Sequence, residues 1–122
     1  MTAPVPISQK GMIITMKTLT AIGLNKHARL FADCVASANY TQDGVQKTAP
    51  IFRKDVTGDT AVIFVCFDDL TTGQIGNVEL LDEGGNVLAR SDEVFEKPEE
   101  KALYFAFYYK YVEKEVEQLE QL

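Results

Sequence analysis

Tryptophan is absent from this chain of 122 residues, which contains one histidine, two cysteines and four prolines. One histidine and two cysteines without a Cys-x-x-Cys pair exclude the usual zinc-binding patterns. The longest apolar runs, such as AVIFVCF at 61–67, are far too short to span a bilayer. We therefore expect no metal, no cofactor and no membrane partner.

A secretory signal is also lacking. The N-terminal stretch MTAPVPISQKGMIITMK has no basic start followed by an apolar core and a small-residue cleavage site. We expect a protein that stays in the cytoplasm, where it is made, or leaves it by a route that needs no signal.

The two cysteines, Cys34 in a helical pattern and Cys66 in a strand pattern, are each flanked by apolar residues. Cysteine is among the most often buried residue types, so we expect two buried free thiols. A disulfide between them remains an alternative, although their spacing gives no reason for one.

Positive charge is scarce and unevenly placed. The formal net charge is −6, with +3 over residues 1–60 and −9 over residues 61–122. An acidic chain lacks the basic footprint that phosphates demand, so we expect no nucleic acid as a partner. If the charge difference survives folding as two faces, it suits head-to-tail association of identical copies.

A chain of this length forms one domain with a real hydrophobic core. Residues 1–10 contain two prolines and small polar residues, and we interpret them as a flexible arm. The single globular domain is placed at 11–113. Residues 114–122 complete the chain as an amphipathic C-terminal tail.

A helix is predicted near the start of the domain. Residues 11–19 fit either a short strand or the lead-in to that helix. From Thr20 the apolar residues recur with a period of 3.6 residues, which predicts a helix from about 20 to 38. Thr18 or Thr20 is the candidate cap.

The remaining sequence is typical of β-strands. The segment 49–56 is a candidate strand, and 60–69 is apolar at both alternating sets, as in a central strand covered by another layer on each face. The segments 77–81 and 86–90 flank DEGG and predict a hairpin, and 91–100 is interpreted as an acidic connection. The fold class is therefore α+β and mainly β. We expect an N-terminal helix packed on an antiparallel β-sandwich-like sheet, with a short C-terminal helix as an option.

The stretch LYFAFYYKY at 103–111 contains six aromatic residues in nine positions. Strict alternation places Leu103 and every second residue after it on one face, which predicts a core strand. Tyr104 and Tyr108 lie on the other face, where a helix could pack against the alternating alanines. If that face is uncovered, two alternatives to a core strand remain. The face is then a contact surface, or it is a site where a ligand stacks on the rings.

The tail repeats apolar residues with spacings of four and three. Such spacings suit a coiled-coil seam, but little more than one heptad is present. We expect the tail to dock on its own domain, to contact a neighbouring subunit, or to fray. The candidate assembly surface comprises Tyr104 and Tyr108 together with Val112, Val116, Leu119 and Leu122.

Catalytic constellations are not apparent in the sequence. His27 lies on the predicted helix without a local nucleophile or orienting partner, so we interpret it as a surface residue. Asp82, Glu83 and Asn86 carry oxygen ligands that suit Ca²⁺, but the twelve-residue calcium-loop spacing is absent. We expect a protein that is not an enzyme, with no catalytic residues.

Two stretches resemble a known family. LTAIGLNKHARLFA (19–32) is similar to the opening helix of phage tail-fibre and tail-collar N-terminal domains, with a threonine, two residues, Gly-Leu and then a small-residue helix. LLDEGGNVLARSDEVFEKPEEKALYFAFYYKYVE (80–113) resembles the end of such domains. There a D-x-x-G-N hairpin, a link with Lys-Pro and an aromatic-rich strand close the sheet.

The resemblance implies a phage or prophage virion protein that acts by protein–protein assembly, with itself and with other virion proteins. The family's Glu-Ile-Gly-Leu before the hairpin is replaced by residues 77–80, and its Gly-Asp-Gly segment is reduced to residues 58–60. Fibres of the family also continue into long repetitive shafts, whereas this sequence stops at Leu122, so we expect a tail, baseplate or connector accessory and not a receptor-binding fibre. The alternatives are a bacterial β-sandwich module that binds carbohydrate or peptide through Tyr104, Tyr108 and Tyr111, and a small enzyme of unrecognised type.

Overall fold

The computed structural model describes residues 13–115, which fold as one helix and seven antiparallel strands. This architecture confirms the predicted α+β, mainly β fold class. The elements are α1 (Ala21–Cys34), β1 (Ser37–Gln42), β2 (Val45–Thr57), β3 (Thr60–Phe67), β4 (Gly73–Leu81), β5 (Val87–Arg90), β6 (Val94–Lys97) and β7 (Leu103–Lys110).

The strands form one curled sheet in the order β5-β4-β1-β2-β3-β7, with β6 also paired to β4. The long strand β2 joins the two halves of the sheet. Its first part pairs with β1 and its second part pairs with β3, and the register of the second pairing shifts between Ile51 and Arg53. Such a β-bulge bends a strand and increases its twist, which helps the sheet to curl.

The helix begins where its cap predicts. Thr20 is extended, with φ −81° and ψ 169°, and its hydroxyl accepts a hydrogen bond from the N–H of Gly23 at 3.1 Å. Serine or threonine at this position satisfies one of the donors that the first turn leaves free. Thr20 is thus the cap, and no regular element forms at residues 13–19.

The predicted helix end at about 38 is wrong, because α1 ends at Cys34 and residues 37–42 form β1. Val35 is extended, and its carbonyl accepts a hydrogen bond from the Nζ of Lys54 at 2.6 Å. The next N–H, that of Ala36, donates to the carbonyl of Leu81 at 2.8 Å. These contacts direct the chain into the sheet, where β1 pairs with β2 and β4 and gains more backbone hydrogen bonds than a last helical turn would provide.

The core lies between α1 and the inner side of the sheet. Every second residue of β3 is buried, and Ala28 and Ala32 of the helix belong to the same cluster, where their small side chains let the helix approach closely. At the other end of the core the Phe67 ring contacts Tyr40 at 4.9 Å and Phe95 at 6.0 Å. Phe95 in turn stacks on Phe105 of β7 at 5.9 Å. These rings bring strands that are distant in the sheet order together over one core.

Strand β7 confirms the alternation that its sequence predicts. Leu103, Phe105, Phe107 and Tyr109 face the core, and the Phe31 ring of α1 meets the Tyr109 ring edge-on at 5.1 Å. The expectation that a helix packs on the alternating Ala/Tyr face is wrong. The helix lies on the opposite side, because its Phe31 and two alanines complete the core that the phenylalanines of β7 begin.

The predicted hairpin and central strand are both present in the sheet. The hairpin is confirmed as β4 and β5, and β3 lies between β2 and β7 as a central strand. No helix or strand of residues 13–115 covers the second face of β3, however, so the expected second layer is not found there. The segment 91–100, which was interpreted as an acidic connection, contains the short edge strand β6. Its acidic residues are typical of a loop, so the sequence did not predict the strand.

The cysteines and the termini differ in part from expectation. Cys34 is exposed, which corrects the prediction of a buried thiol, and Cys66 is half-buried; both are free. Residues 111–115 form no helix. The predicted arm at 1–10 and the apolar tail residues Val116, Leu119 and Leu122 lie outside the described residues. No helix within 13–115 is long and apolar enough to cross a membrane.

Candidate protein–protein interface

The outer side of strands β2, β3 and β7 carries the chain's most distinctive surface. In the β3–β7 ladder Cys66 lies opposite Tyr104, Phe64 opposite Ala106 and Val62 opposite Tyr108. Directly opposed residues share one side of a sheet, so these side chains form adjacent rows. We call this surface the aromatic face; it comprises Phe52, Arg53, Val62, Phe64, Cys66, Tyr104, Ala106 and Tyr108.

Large apolar side chains on the aromatic face are open to solvent. The exposed fraction is 53% for Phe52, 53% for Tyr104 and 64% for Tyr108. The β3 residues between them are half-buried and lie on the floor of the surface. A contiguous apolar patch, unlike scattered single residues, is a feature that soluble proteins commonly use for contacts.

The rings of the aromatic face hold one another in place. The centroids of Phe52 and Tyr104 are 5.0 Å apart with their planes at 59°. The guanidinium carbon of Arg53 lies 4.8 Å from the centroid of the Phe64 ring, a cation–π contact. These four residues line a cavity of ≈ 340 Å³.

The bulge in β2 explains why Phe52 belongs to this surface. Ile51 is paired with Val65 and Arg53 with Phe64, so β2 has one residue more than β3 at this point. The extra residue breaks the alternation, and Phe52 and Arg53 both contribute to the outer side. Sequence reasoning identified Tyr104 and Tyr108 but missed Phe52, because strict alternation of β2 places neighbours on opposite faces.

Charged groups border the aromatic face, and the Arg53 guanidinium lies over the Phe64 ring. Arg53 forms an ion pair with Asp55 at 3.0 Å, and Lys110 lies 4.0 Å from Asp59 at the end of β7. An apolar aromatic centre with a polar rim is the usual anatomy of a protein–protein interface. The arrangement can bury rings against another protein while its charges stay hydrated.

Asp82, one of the oxygen ligands considered for Ca²⁺, stabilises a turn. Asp82 accepts hydrogen bonds from the side-chain and backbone N–H groups of Asn86, which hold the pKa of Asp82 below its ordinary value. Asp68 likewise accepts from the backbone N–H groups of Leu70 and Thr71 at 3.0 Å each. Within residues 13–115 no three potential metal ligands gather at one place, and His27 is exposed on α1.

A second, polar cavity of ≈ 390 Å³ lies on the other half of the sheet. Its charged pair, Arg90 and Glu79, is joined at 2.6 Å, and the Thr48 hydroxyl donates to the side-chain oxygen of Asn39 at 3.1 Å. Arg90, Glu79 and Asn39 of this cavity are thus engaged with neighbouring side chains.

The C-terminal part of the predicted assembly surface is described only at its start. Val112 is 70% exposed and follows β7 by two residues. Next to it, the Glu113 carboxylate accepts hydrogen bonds from the backbone N–H groups of Leu19 and Thr18, each at 2.8 Å. These bonds lower the pKa of Glu113 and attach the end of the domain to the segment before α1.

Comparison of the chain with protein-family models, with curated proteins and with solved structures finds no match.

Proposed function

We propose that the protein is a non-enzymatic structural subunit that assembles with copies of itself and with other proteins of a phage or prophage virion, as a tail, baseplate or connector accessory. The observation that carries the assembly role is the exposure of Phe52, Tyr104 and Tyr108 on one continuous sheet surface. The virion setting rests on the sequence resemblance at 19–32 and 80–113.

The energetics favour a covered rather than a free surface. Fully burying a large apolar side chain stabilises a complex by about 1.5–3 kcal/mol relative to leaving it in water. Tyrosine and arginine are enriched among the residues that dominate binding energy, and both occur here beside phenylalanine. The rings are carried by hydrogen-bonded strands, so little backbone conformational freedom is lost on contact.

The aromatic face suits contact better than catalysis. Arg53 is paired with Asp55, which borders the face, and Cys66 is half-buried without a neighbouring base on the face. A reaction needs a nucleophile or a general base held by an orienting partner. The residues of the aromatic face provide shape and apolar area instead.

The experiment is light scattering of the purified chain across a range of concentrations, with Tyr108→Glu and Phe52→Ser as test variants. The wild type should have the mass of two or more copies, and each variant should shift toward the mass of one copy while its circular dichroism is unchanged. Gln46→Glu is the matched control, because Gln46 is exposed on β2 but outside the aromatic face. A wild type that is monomeric at every concentration contradicts self-assembly.

A second candidate function is binding of a carbohydrate or peptide in the cavity between Phe52 and Tyr104. The specific observation in its favour is the pair of ring walls, since sugars and extended peptides stack on aromatic side chains. Tyr111 does not join this site, because it is half-buried with its ring 6.4 Å from Phe31 on the core side. Quenching of tyrosine fluorescence by iodide that is relieved by added glycan or peptide would favour this function.

A further inference from the structure

The two edges of the sheet are built differently. One edge consists of β5 and β6, two strands of four residues that share the outer side of β4. There Lys97 is buried, at 2% exposure, and Pro98 follows it. Short strands, prolines and inward-pointing charges are the devices by which proteins prevent edge-to-edge pairing.

The other edge, β7, lacks these devices. Its eight residues pair with β3 without any register shift, and they include no proline and no glycine. Among residues 13–115 no strand pairs with β7 on its second side. A long, regular and apolar edge of this kind is a template for another strand.

One hydrogen bond shows which residues of β7 direct their backbone N–H and C=O groups away from β3. The N–H of Tyr111 donates to the carbonyl of Asp59 at 2.9 Å, just beyond the pair formed by Lys110 and Thr60. In an antiparallel ladder, residues alternate between directing their N–H and C=O toward the partner strand and directing them away. Tyr104, Ala106 and Tyr108 therefore direct their backbone groups to the outer edge of β7.

We propose that β7 pairs with β7 of a second copy of this chain, antiparallel and around a two-fold axis at Ala106. The inference rests on the proposed assembly function and specifies its first contact. The two-fold axis must pass through a residue position. An axis between two residues would shift the register by one residue and place core-facing side chains of one copy opposite outward-facing side chains of the other. The aromatic face then continues from one copy to the next across six strands.

The side chains at the proposed contact are complementary. With the axis at Ala106, Tyr104 lies opposite Tyr108 of the second copy, and the two small Ala106 side chains meet at the centre. Aromatic cross-strand pairs stabilise a sheet. On the core side Phe105 lies opposite Phe107 of the second copy, which extends the apolar interior of each domain to its neighbour.

The position of the only charge on β7 favours a second copy as the occupant. Lys110 is the one charged residue of this strand and already lies 4.0 Å from Asp59 of its own chain. Antiparallel pairing places it opposite Ala102 of the second copy, at the end of the contact, so the two copies of Lys110 stay far apart and the centre remains apolar.

The test is disulfide trapping in a chain with Cys34→Ser and Cys66→Ser. Ala106→Cys places two thiols on the proposed axis, where opposed Cα atoms lie about 5.5 Å apart, within the range that a disulfide spans. Lys110→Cys is the matched control, because its two copies lie eight residue positions apart along the strands, about 26 Å. After oxidation with copper phenanthroline, a covalent dimer of the first variant and not of the second is expected.

Ala106→Pro provides an independent measurement. Proline removes an N–H that is directed away from β3, so the β3–β7 ladder keeps its hydrogen bonds and the domain should remain folded by circular dichroism. Its mass by light scattering should fall to that of one copy. A folded Ala106→Pro variant that keeps the wild-type mass overturns the proposal.

The outcomes separate this inference from the proposed function. An assembled wild type that loses mass with Tyr108→Glu, but shows no disulfide at Ala106, overturns the edge pairing and leaves the assembly function standing. A disulfide at position 105 or 107 in place of 106 overturns the proposed axis. A wild type that is monomeric at every concentration overturns both.

Discussion

The ring of Phe52 lies 5.0 Å from the ring of Tyr104, although the strand β3 separates the strands that carry them. The bulge in β2 turns Phe52 to the outer side, and Tyr104 reaches toward it across the floor of β3. Each ring restricts the other, so less side-chain freedom remains to be lost when a partner covers them. For the partner contact that we propose, the rings are therefore already ordered by their contact with each other.

The attachment of α1 to the sheet should depend on Phe31. Its ring contacts Tyr109 at 5.1 Å and Tyr111 at 6.4 Å, and it is half-buried. Phe31→Ala should lower the free energy of unfolding by about 2–3 kcal/mol, below the full cost of 3–5 for a completely buried ring. Urea unfolding measures this change.

Leu30→Ala is the control for Phe31→Ala. Leu30 is the preceding residue of the same helix but is 61% exposed. Its replacement should change the free energy of unfolding by no more than about 0.5 kcal/mol. Equal losses in the two variants would contradict the assigned packing of the helix.

Gly73 should tolerate alanine less well than Gly85 does. Both have positive φ, +97° and +81°, but a Cβ at Gly73 would lie 2.5 Å from a carboxylate oxygen of Asp43, whereas nothing lies within 4 Å at Gly85. That carboxylate accepts a hydrogen bond from the N–H of Gln74 at 3.0 Å and cannot move without losing it. Both variants carry backbone strain of about 1–3 kcal/mol.

Both variants therefore lose stability through backbone strain, and Gly73→Ala loses more because its Cβ displaces the Asp43 carboxylate. Thermal unfolding of the two variants side by side measures the difference. A lower midpoint for Gly73→Ala is expected. A Gly85→Ala midpoint equal to or below it would show that the Asp43 contact contributes nothing.

The hydrogen bonds to Glu113 should make stability depend on pH. The backbone N–H groups of Leu19 and Thr18 hold the pKa of Glu113 below its ordinary value. A carboxylate with a lowered pKa in the folded state contributes stability above its unfolded pKa and loses it as the pH falls through its folded pKa. Wild type should therefore be more stable than Glu113→Gln at pH 7, and the difference should shrink in the acidic range.

Thermal midpoints measured from pH 7 downward test this dependence. Glu115→Gln is the control, because it removes an exposed charge two residues further along without removing these hydrogen bonds. A difference between wild type and Glu113→Gln that stays constant down to pH 3 would contradict the assignment.

Strand β7 was predictable from the sequence because it alternates strictly. The same alternation that places Phe105 and Phe107 in the core places Tyr104 and Tyr108 outside, and the structure has both faces as predicted. The hairpin of β4 and β5 was predictable for a similar local reason, since DEGG supplies the turn. Strict alternation and a glycine-rich turn were thus sufficient to predict these two features.

Features that depend on distant residues were not predictable. Strand β1 contains only Ala38 and Tyr40 as buried residues and follows the helix without a glycine or proline, so its pattern continued the helical one. Its strand conformation comes from pairing with β2 and β4. Phe52 was missed because a bulge is set by the register of two strands, and β6 because a short, acidic edge strand resembles a loop.

The most direct measurement on the aromatic face is chemical iodination of tyrosine at increasing protein concentration, with each modified residue identified by mass spectrometry. We predict that Tyr104 and Tyr108 react rapidly in dilute solution and become protected in assemblies of more than two copies, since pairing at β7 alone leaves the aromatic face open. The dilute sample is the reference for each residue. If assemblies of more than two copies form while Tyr104 and Tyr108 stay as reactive as in dilute solution, another surface makes the contact and the central claim is contradicted.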